Sequence, residues 1–183
     1  MLGIRRYRSV AIDLFQGDIT SFVCDAMVNA ANESLAGGGG VDGAIHRAGG
    51  PTILEECRQI GRCPTGQAVK TNAGQLPAKI LIHAVGPRWR GGEEGEADLL
   101  ASAYQTSLQL AIESACEHIA FPSISTGVYG FPIDQAAGLA MDAIKDFLDQ
   151  QNSFRRITFV QFSLDDYKVY QQALFHSFPE MSE

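Results

Sequence analysis

The fold of this chain is decided by one stretch, VNAANESLAGGGGVDGAIH, which spans residues 28–46. It begins as a short apolar strand, passes through four consecutive glycines, and continues with Val41, Ile45 and Ala48 at helical spacing. Glycine has no Cβ, so the backbone can approach a ligand closely. The unpaired N–H groups at the start of a helix are a natural anion site. The stretch therefore predicts a strand–loop–helix unit that binds an anion.

Polar side chains on either side of the glycines suggest chemistry as well as binding. Asp42 is expected in the first turn of the helix, with His46 one turn later on the same face. The alternative is that the glycines form a flexible connector, that Asp42 caps the helix and that His46 packs. Two asparagines argue against this structural interpretation. Asn29 and Asn32 lie at the end of a buried strand, where an amide group needs a polar partner.

The rest of the chain alternates strand-like and helical patterns. Strands are predicted at 9–15, 26–31, 67–73, 79–85, 118–124 and 157–162. Helices are predicted near 41–48, from Pro51 onwards, and at 99–115, 133–148 and 163–174. This alternation predicts a layered α/β domain with helices on both faces of a mixed sheet. Ligands of such sheets bind beyond the carboxyl ends of the strands.

Composition excludes several classes of protein. The 183 residues are 45% apolar and 19% charged, with a formal net charge of −7, which is typical of one globular domain. No basic cluster is present, so general nucleic-acid binding is not expected. No apolar run approaches the ~20 residues of a membrane span, and no signal peptide is recognisable. The cysteines lack CxxC spacing and indicate reduced thiols in a cytoplasmic protein.

A second loop with small residues follows the strand predicted at 118–124. Its sequence is STGVYG, residues 125–130, and it again offers backbone amides to an anion, while Tyr129 offers an aromatic face. A structural turn could have the same composition. Two such loops in one α/β domain nevertheless favour a ligand whose diphosphate is held from both sides.

Competing motifs are weaker. Residues 38–43 match G-x-G-x-x-G, but a dinucleotide-binding unit also needs an acidic residue about 20 positions later at a strand end. The nearest acids, Glu55 and Glu56, fall in a helical pattern instead. No Gly-Lys pair of a P-loop occurs, and the four histidines show no metal-ligand spacing. We therefore expect neither a cofactor nor a metal.

Together these segments resemble the signature of the MacroD-type macrodomains, and most closely that of the bacterial O-acetyl-ADP-ribose deacetylases. The resemblance rests on GDIT at 17–20, NAAN at 29–32, GGGGVDGAIH at 37–46 and STGVYG at 125–130. It covers nearly the whole chain in order. It implies a three-layer α/β/α macro domain with a central mixed sheet, formed as a single domain by residues 1–183.

The resemblance also implies a cleft for ADP-ribose. Asp18 would accept a hydrogen bond from the adenine amino group, with the Ile19 amide beside it, and Phe162 would stack on the adenine ring. The alternative for Phe162 is a place in the core. Tyr129 would also line the distal ribose. The diphosphate would be held by amides of the second loop, those of Ser125, Thr126, Gly127, Val128 and Tyr129.

The other side of the cleft would carry the chemistry. Gly40 and Val41 would face the diphosphate and ribose, and Asn32 would bind a distal-ribose hydroxyl group. Asp42 would orient or deprotonate the attacking water, a role in which the diphosphate of the substrate can share. A carboxylate is a weak base at neutral pH, so it acts mainly by holding the water beside the reacting carbon.

Two functions follow from this resemblance. The first is a hydrolase that deacetylates O-acetyl-ADP-ribose and removes mono-ADP-ribose from Asp or Glu side chains. The second is a reader that binds ADP-ribose or ADP-ribosylated proteins without turnover and acts through a partner. The Asn32/Asp42 pair favours the hydrolase, because a reader needs the amide loops but not a carboxylate that holds water. His46 is expected to be mainly structural.

Overall fold

The computed structural model describes residues 3–179, so both predicted domain limits lie outside the described residues. The strands are β1 (Ile4–Tyr7), β2 (Val10–Gln16), β3 (Ala26–Ala30), β4 (Ala68–Asn72), β5 (Ile80–Ala84), β6 (His118–Phe121) and β7 (Arg156–Gln161). The α-helices are α1 (Gly40–Gly49), α2 (Pro51–Ile60), α3 (Glu96–Glu113), α4 (Ile133–Gln150) and α5 (Leu164–Ser177), and a short 3-10 helix covers Ile19–Ser21.

The strands form one seven-stranded sheet in the order β1-β2-β7-β6-β3-β5-β4. The five central strands, β2, β7, β6, β3 and β5, run parallel to one another. The two edge strands, β1 and β4, are antiparallel to their neighbours. The mixed sheet expected from the sequence is thus confirmed.

Helices cover both faces of the sheet and complete a three-layer α/β/α fold, as predicted. One face packs against α3, α4 and α5 through a large apolar core that includes Tyr104, Phe121 and Phe159. The other face packs against α1, α2 and the 3-10 helix through a smaller core that includes Ile45 and Ile53. Burial on both faces explains why most residues of the central strands are apolar, without a regular alternation of apolar and polar residues.

Three element predictions need correction. The first strand, β1, was not predicted, because its sequence, Ile-Arg-Arg-Tyr, carries the charges that natural edge strands use against further pairing. Strand β6 ends at Phe121 rather than at 124, since Pro122 has no N–H for the ladder. Helix α3 begins at Glu96 rather than at 99, and the buried carboxylate of Glu96 accepts backbone N–H bonds from the preceding loop.

The topology gathers several loops at one edge of the sheet. The carboxyl ends of parallel strands meet there, so the segments after β2, β3, β5, β6 and β7 are neighbours in space. Among residues 3–179, no helix has the length and apolarity needed to cross a membrane.

Candidate active site

A cleft of about 770 Å³ lies at this edge of the sheet. This volume is in the range of small-molecule sites. Every site residue predicted from the sequence lines the cleft: Asp18, Ile19, Asn32, Gly40, Val41, Asp42, Ser125, Thr126, Gly127, Val128, Tyr129 and Phe162. The fold therefore brings the two glycine-containing loops and the ends of β2 and β7 to one place.

The glycine loop after β3 delivers the start of α1 to the cleft. Gly39 is the N-cap residue and makes no side-chain capping bond, and Gly40 begins the helix with φ +57°, a left-handed value that favours glycine. The first N–H groups of the helix are therefore left for a ligand. Asn32 holds the loop in place, because its Nδ2 donates a 2.9 Å hydrogen bond to the carbonyl of Gly37.

Asp42 is buried in the first turn of α1, with only 6% of its surface exposed. Its Oδ1 accepts a 2.8 Å hydrogen bond from Asn29 Nδ2 and lies 3.3 Å from His46 Nε2. Its Oδ2 would lie 3.2 Å from a Cβ placed on Gly38, and Asn32 Nδ2 would lie 3.7 Å from the same Cβ. The capping role considered for Asp42 is therefore not observed, and Asp42 and Asn32 converge next to Gly38.

A buried hydrogen-bond chain stands behind Asp42. Asn29 Nδ2 also lies 3.1 Å from His83 Nδ1, and His83 Nε2 lies 2.9 Å from Thr71 Oγ1, whose hydroxyl donates to the carbonyl of Asn72. The amide nitrogen of Asn29 can only donate, so Nδ1 of His83 accepts and Nε2 of His83 carries the proton. Burial, and next the proximity of His46, lowers the pKa of His83 to about 4, so the ring is neutral at neutral pH.

The second loop is held by its carbonyl oxygens. Those of Ser125, Gly127 and Tyr129 accept backbone bonds from Phe131, Gly130 and Trp89. Among residues 3–179, no hydrogen bond uses the N–H groups at 126–128, which remain available to an anion. Ser125 itself adopts φ +68°, an uncommon value for a residue with a side chain, and such strained residues cluster at ligand sites.

The far end of the cleft combines an acid and an aromatic ring. Asp18 Oδ1 caps the 3-10 helix by accepting hydrogen bonds from Thr20 N at 2.9 Å and Thr20 Oγ1 at 2.8 Å. Phe162 follows β7 directly and is 79% exposed. The core alternative for Phe162 is therefore wrong, because its ring lies on the wall of the cleft.

Comparison with known proteins identifies the family. The family model of the Macro domain matches residues 28–140, which include both loops of the cleft. The chain belongs to the macro domain family. The macro domain fold and the resemblance to this family, both predicted from the sequence motifs, are confirmed.

Individual relatives of this macro domain match most of this chain. The O-acetyl-ADP-ribose deacetylase of Citrobacter rodentium is 54% identical over 167 residues, which are 89% of this chain and 94% of that protein. The Oceanobacillus iheyensis macrodomain with ADP superposes with a TM-score of 0.92 at 40% identity, covering 97% of both chains. The Trypanosoma brucei macrodomain in complex with ADP-ribose gives 0.83 at 39% identity, covering 89% of this chain and 68% of that chain.

Sequence reasoning missed several residues of the macro domain cleft. Gly86 lines it after β5, and a Cβ there would lie 2.1 Å from Ser125 Oγ, so only glycine lets the two loops approach. Ser125 Oγ and Gln161 Nε2 are buried in the wall, with no hydrogen-bond partner among residues 3–179. Buried polar atoms are normally paired, so both are candidates for ligand contacts. Ser125 was predicted only for its backbone amide, and Gln161, between Val160 and Phe162, was not predicted at all. Only the fold shows where the two side chains point.

The fold also brings together side chains of metal-ligand type that the sequence does not place at ligand spacing. His46, Cys57 and His83 offer ligand atoms within 4.8 Å of one another. Both nitrogens of His83 already take part in hydrogen bonds, and burial raises the pKa of the Cys57 thiol to about 11. A metal would have to displace those bonds and deprotonate that thiol, so the arrangement fits the hydrogen-bond chain behind Asp42 better than a metal site.

Proposed function

We propose that this macro domain binds ADP-ribose in the cleft and hydrolyses O-acetyl-ADP-ribose to ADP-ribose and acetate. The observation that carries the proposal is the buried carboxylate of Asp42 on the cleft wall, next to Asn32 and fixed from behind by Asn29. Several relatives at 50–54% identity are named for this reaction, and they cover about nine-tenths of the chain.

The proposed pose runs along the cleft from β2 to the glycine loop. Adenine lies against Phe162, with its amino group on Asp18 and the Ile19 amide beside it. The diphosphate lies between the two loops, held by the N–H groups of residues 125–129 and faced by Gly40 and Val41. This assignment uses the unpaired amides of the second loop and the open start of α1.

The distal ribose then comes next to the carboxylate. Asn32 binds one of its hydroxyl groups and Tyr129 lines its other side, which places the ester near Asp42. A water held by Asp42 adds its oxygen to the ester carbonyl carbon, and the bond from that carbon to the ribose oxygen breaks. The ribose oxygen takes a proton, the diphosphate helps to move it, and acetate leaves. Positioning of this kind accounts for large accelerations without a strong base.

We propose the same chemistry for ADP-ribose esterified to Asp or Glu side chains of proteins. Such an ester offers a carbonyl carbon to which the water adds, and the ribose oxygen is again the leaving group. An arginine linkage has no ester carbonyl, so its cleavage would have to expel a guanidine, whose conjugate acid has a pKa above about 12. His46, the nearest candidate acid, contacts Asp42. Matched peptides with ADP-ribose on Glu or on Arg test this, with release followed by mass spectrometry. We expect release from Glu only, and equal release from both would contradict the assignment.

The deciding experiment for the function is incubation of the protein with O-acetyl-ADP-ribose, with ADP-ribose and acetate followed by NMR. Release with catalytic turnover supports the hydrolase. Binding of ADP-ribose by calorimetry without any release would instead identify a reader.

We also propose a cytoplasmic location, because the four cysteines are free, buried thiols of the kind kept by a reducing compartment.

A further inference from the structure

A second cavity of about 500 Å³ adjoins the cleft. The two spaces share Asn32, Gly86 and Tyr129 as walls. In the proposed function, Asn32 and Tyr129 are the residues that contact the distal ribose. A group carried by that ribose therefore has the second cavity beside it, whereas the adenine end of the cleft lies away from it.

The carboxylates around the second cavity already have partners. Glu33 accepts two hydrogen bonds from Thr65 and one from Arg62, which lower its pKa to about 2. Glu96 accepts three backbone N–H bonds. Glu94 lies 3.8 Å from Arg90. The acidic side of this cavity is therefore compensated within the protein.

Arg88 differs from the other charged residues there. Its guanidinium carbon lies 4.6 Å from the centre of the Tyr129 ring, and among residues 3–179 it pairs with no carboxylate. The side chain is exposed, so its charge is accessible from the cavity. A guanidinium group that rests on an aromatic ring keeps its N–H edge for a planar anion such as a carboxylate.

We propose that the second cavity is the subsite for the acyl group on the distal ribose, and that Arg88 makes it favour acyl groups that end in a carboxylate. The substrates would be ADP-ribose esters of dicarboxylic acids. This inference rests on the proposed function and names a substrate class for it. Water adds to the ester carbonyl carbon, the bond to the ribose oxygen breaks, and that oxygen takes a proton from the water. The products are ADP-ribose and the free dicarboxylate, which releases its proton at neutral pH.

The test compares two esters of equal carbon number, the butyryl and the succinyl ester of ADP-ribose. Only the succinyl group carries a free carboxylate. We expect Arg88→Met to lower the ratio of succinyl to butyryl kcat/KM by about two- to fivefold, the upper part of the range for an exposed ion pair. Arg88→Lys should restore part of the ratio, because it restores the charge without the planar fork.

Arg90→Met is the matched control, since Arg90 lines the same cavity but already faces Glu94. It should change the ratio less than twofold. An unchanged ratio in Arg88→Met, or hydrolysis of the acetyl ester but of neither four-carbon ester, would overturn the subsite while leaving the proposed function intact. Failure of the wild-type protein to hydrolyse any of the three esters would overturn the function itself, and the subsite with it.

Discussion

Asn29 donates a hydrogen bond of 2.8 Å from its Nδ2 to Oδ1 of Asp42, and both residues are buried. The other hydrogen of the same amide group points to His83 Nδ1 at 3.1 Å. Because Nδ2 faces two acceptors, the orientation of the Asn29 amide is fixed, and so is the edge of the carboxylate that it holds. His83 is thus linked to Asp42 through the Asn29 amide.

Replacing His83 should therefore impair turnover more than binding. We expect His83→Phe, which removes the acceptor for Asn29, to lower kcat on O-acetyl-ADP-ribose by about five- to tenfold, the equivalent of one hydrogen bond. KM should change little, and His83→Gln, which offers a new acceptor, should recover most of the loss. A loss of thermal stability with an unchanged kcat would assign His83 a purely structural role.

The neutral state of His83 also predicts how stability depends on pH. In the unfolded chain the His83 ring has a pKa near 6.5, whereas in the folded protein its pKa is about 4. Between pH 6.5 and pH 4 the unfolded state binds more protons than the folded state. The stability that the neutral His83 ring contributes is therefore complete above pH 6.5 and is lost as the pH falls towards 4. We expect the wild type to lose about 3 kcal/mol more than His83→Gln between pH 7 and pH 4, measured by urea unfolding. Parallel pH curves for the two proteins would contradict this.

Local patterns predicted most of the fold and the outline of the cleft. Apolar runs predicted the central strands, and the helix predicted at 163–174 is observed as α5, with Ser163 as its N-cap accepting from the N–H of Asp166. The two glycine-containing loops indicated the ligand-binding edge of the sheet. Glycine itself signals a positive φ or a close approach of the backbone to a ligand, so this feature can be recognised in the sequence. Strand β1 was not predicted, because an edge strand needs no continuous apolar run by which it could be recognised.

The hydrogen-bond chain behind Asp42 could not be predicted in the same way. Asn29, His83 and Thr71 lie on three adjacent strands and meet only through the register of the sheet. In the sequence His83 stands alone in an apolar run, where it is indistinguishable from a core histidine. Gly86 is similar, because its need for glycine comes from Ser125, which is remote in sequence.

Added side chains in the two loops should weaken ligand binding without unfolding the protein. A Cβ on Gly39 or Gly127 meets no atom within 4 Å, and neither residue needs a positive φ. We expect Gly39→Glu and Gly127→Glu each to weaken ADP-ribose binding at least tenfold by calorimetry, through bulk and charge repulsion at the diphosphate. Gly138→Glu in α4, equally open but outside the cleft, is the control and should bind normally. Normal affinity in both loop variants would refute the two-loop site.

Chelation should leave turnover unchanged. The proposed reaction uses only the carboxylate, the amides and the substrate, and both nitrogens of His83 are already hydrogen-bonded. We expect the rate on O-acetyl-ADP-ribose to stay within twofold after dialysis against EDTA, for the wild type and for Cys57→Ser alike. A loss that added zinc or magnesium reverses in the wild type only would show that the His46–Cys57–His83 group holds a metal.

The most direct test is Asp42→Asn, measured for turnover and for binding in the same preparation. The amide keeps an oxygen to accept the Asn29 hydrogen bond, so the variant should fold, but it loses the negative charge that holds and activates the water. We predict that kcat on O-acetyl-ADP-ribose falls by ~10²–10⁴, while the Kd for ADP-ribose stays within a few-fold. Turnover near that of the wild type would contradict the role assigned to Asp42.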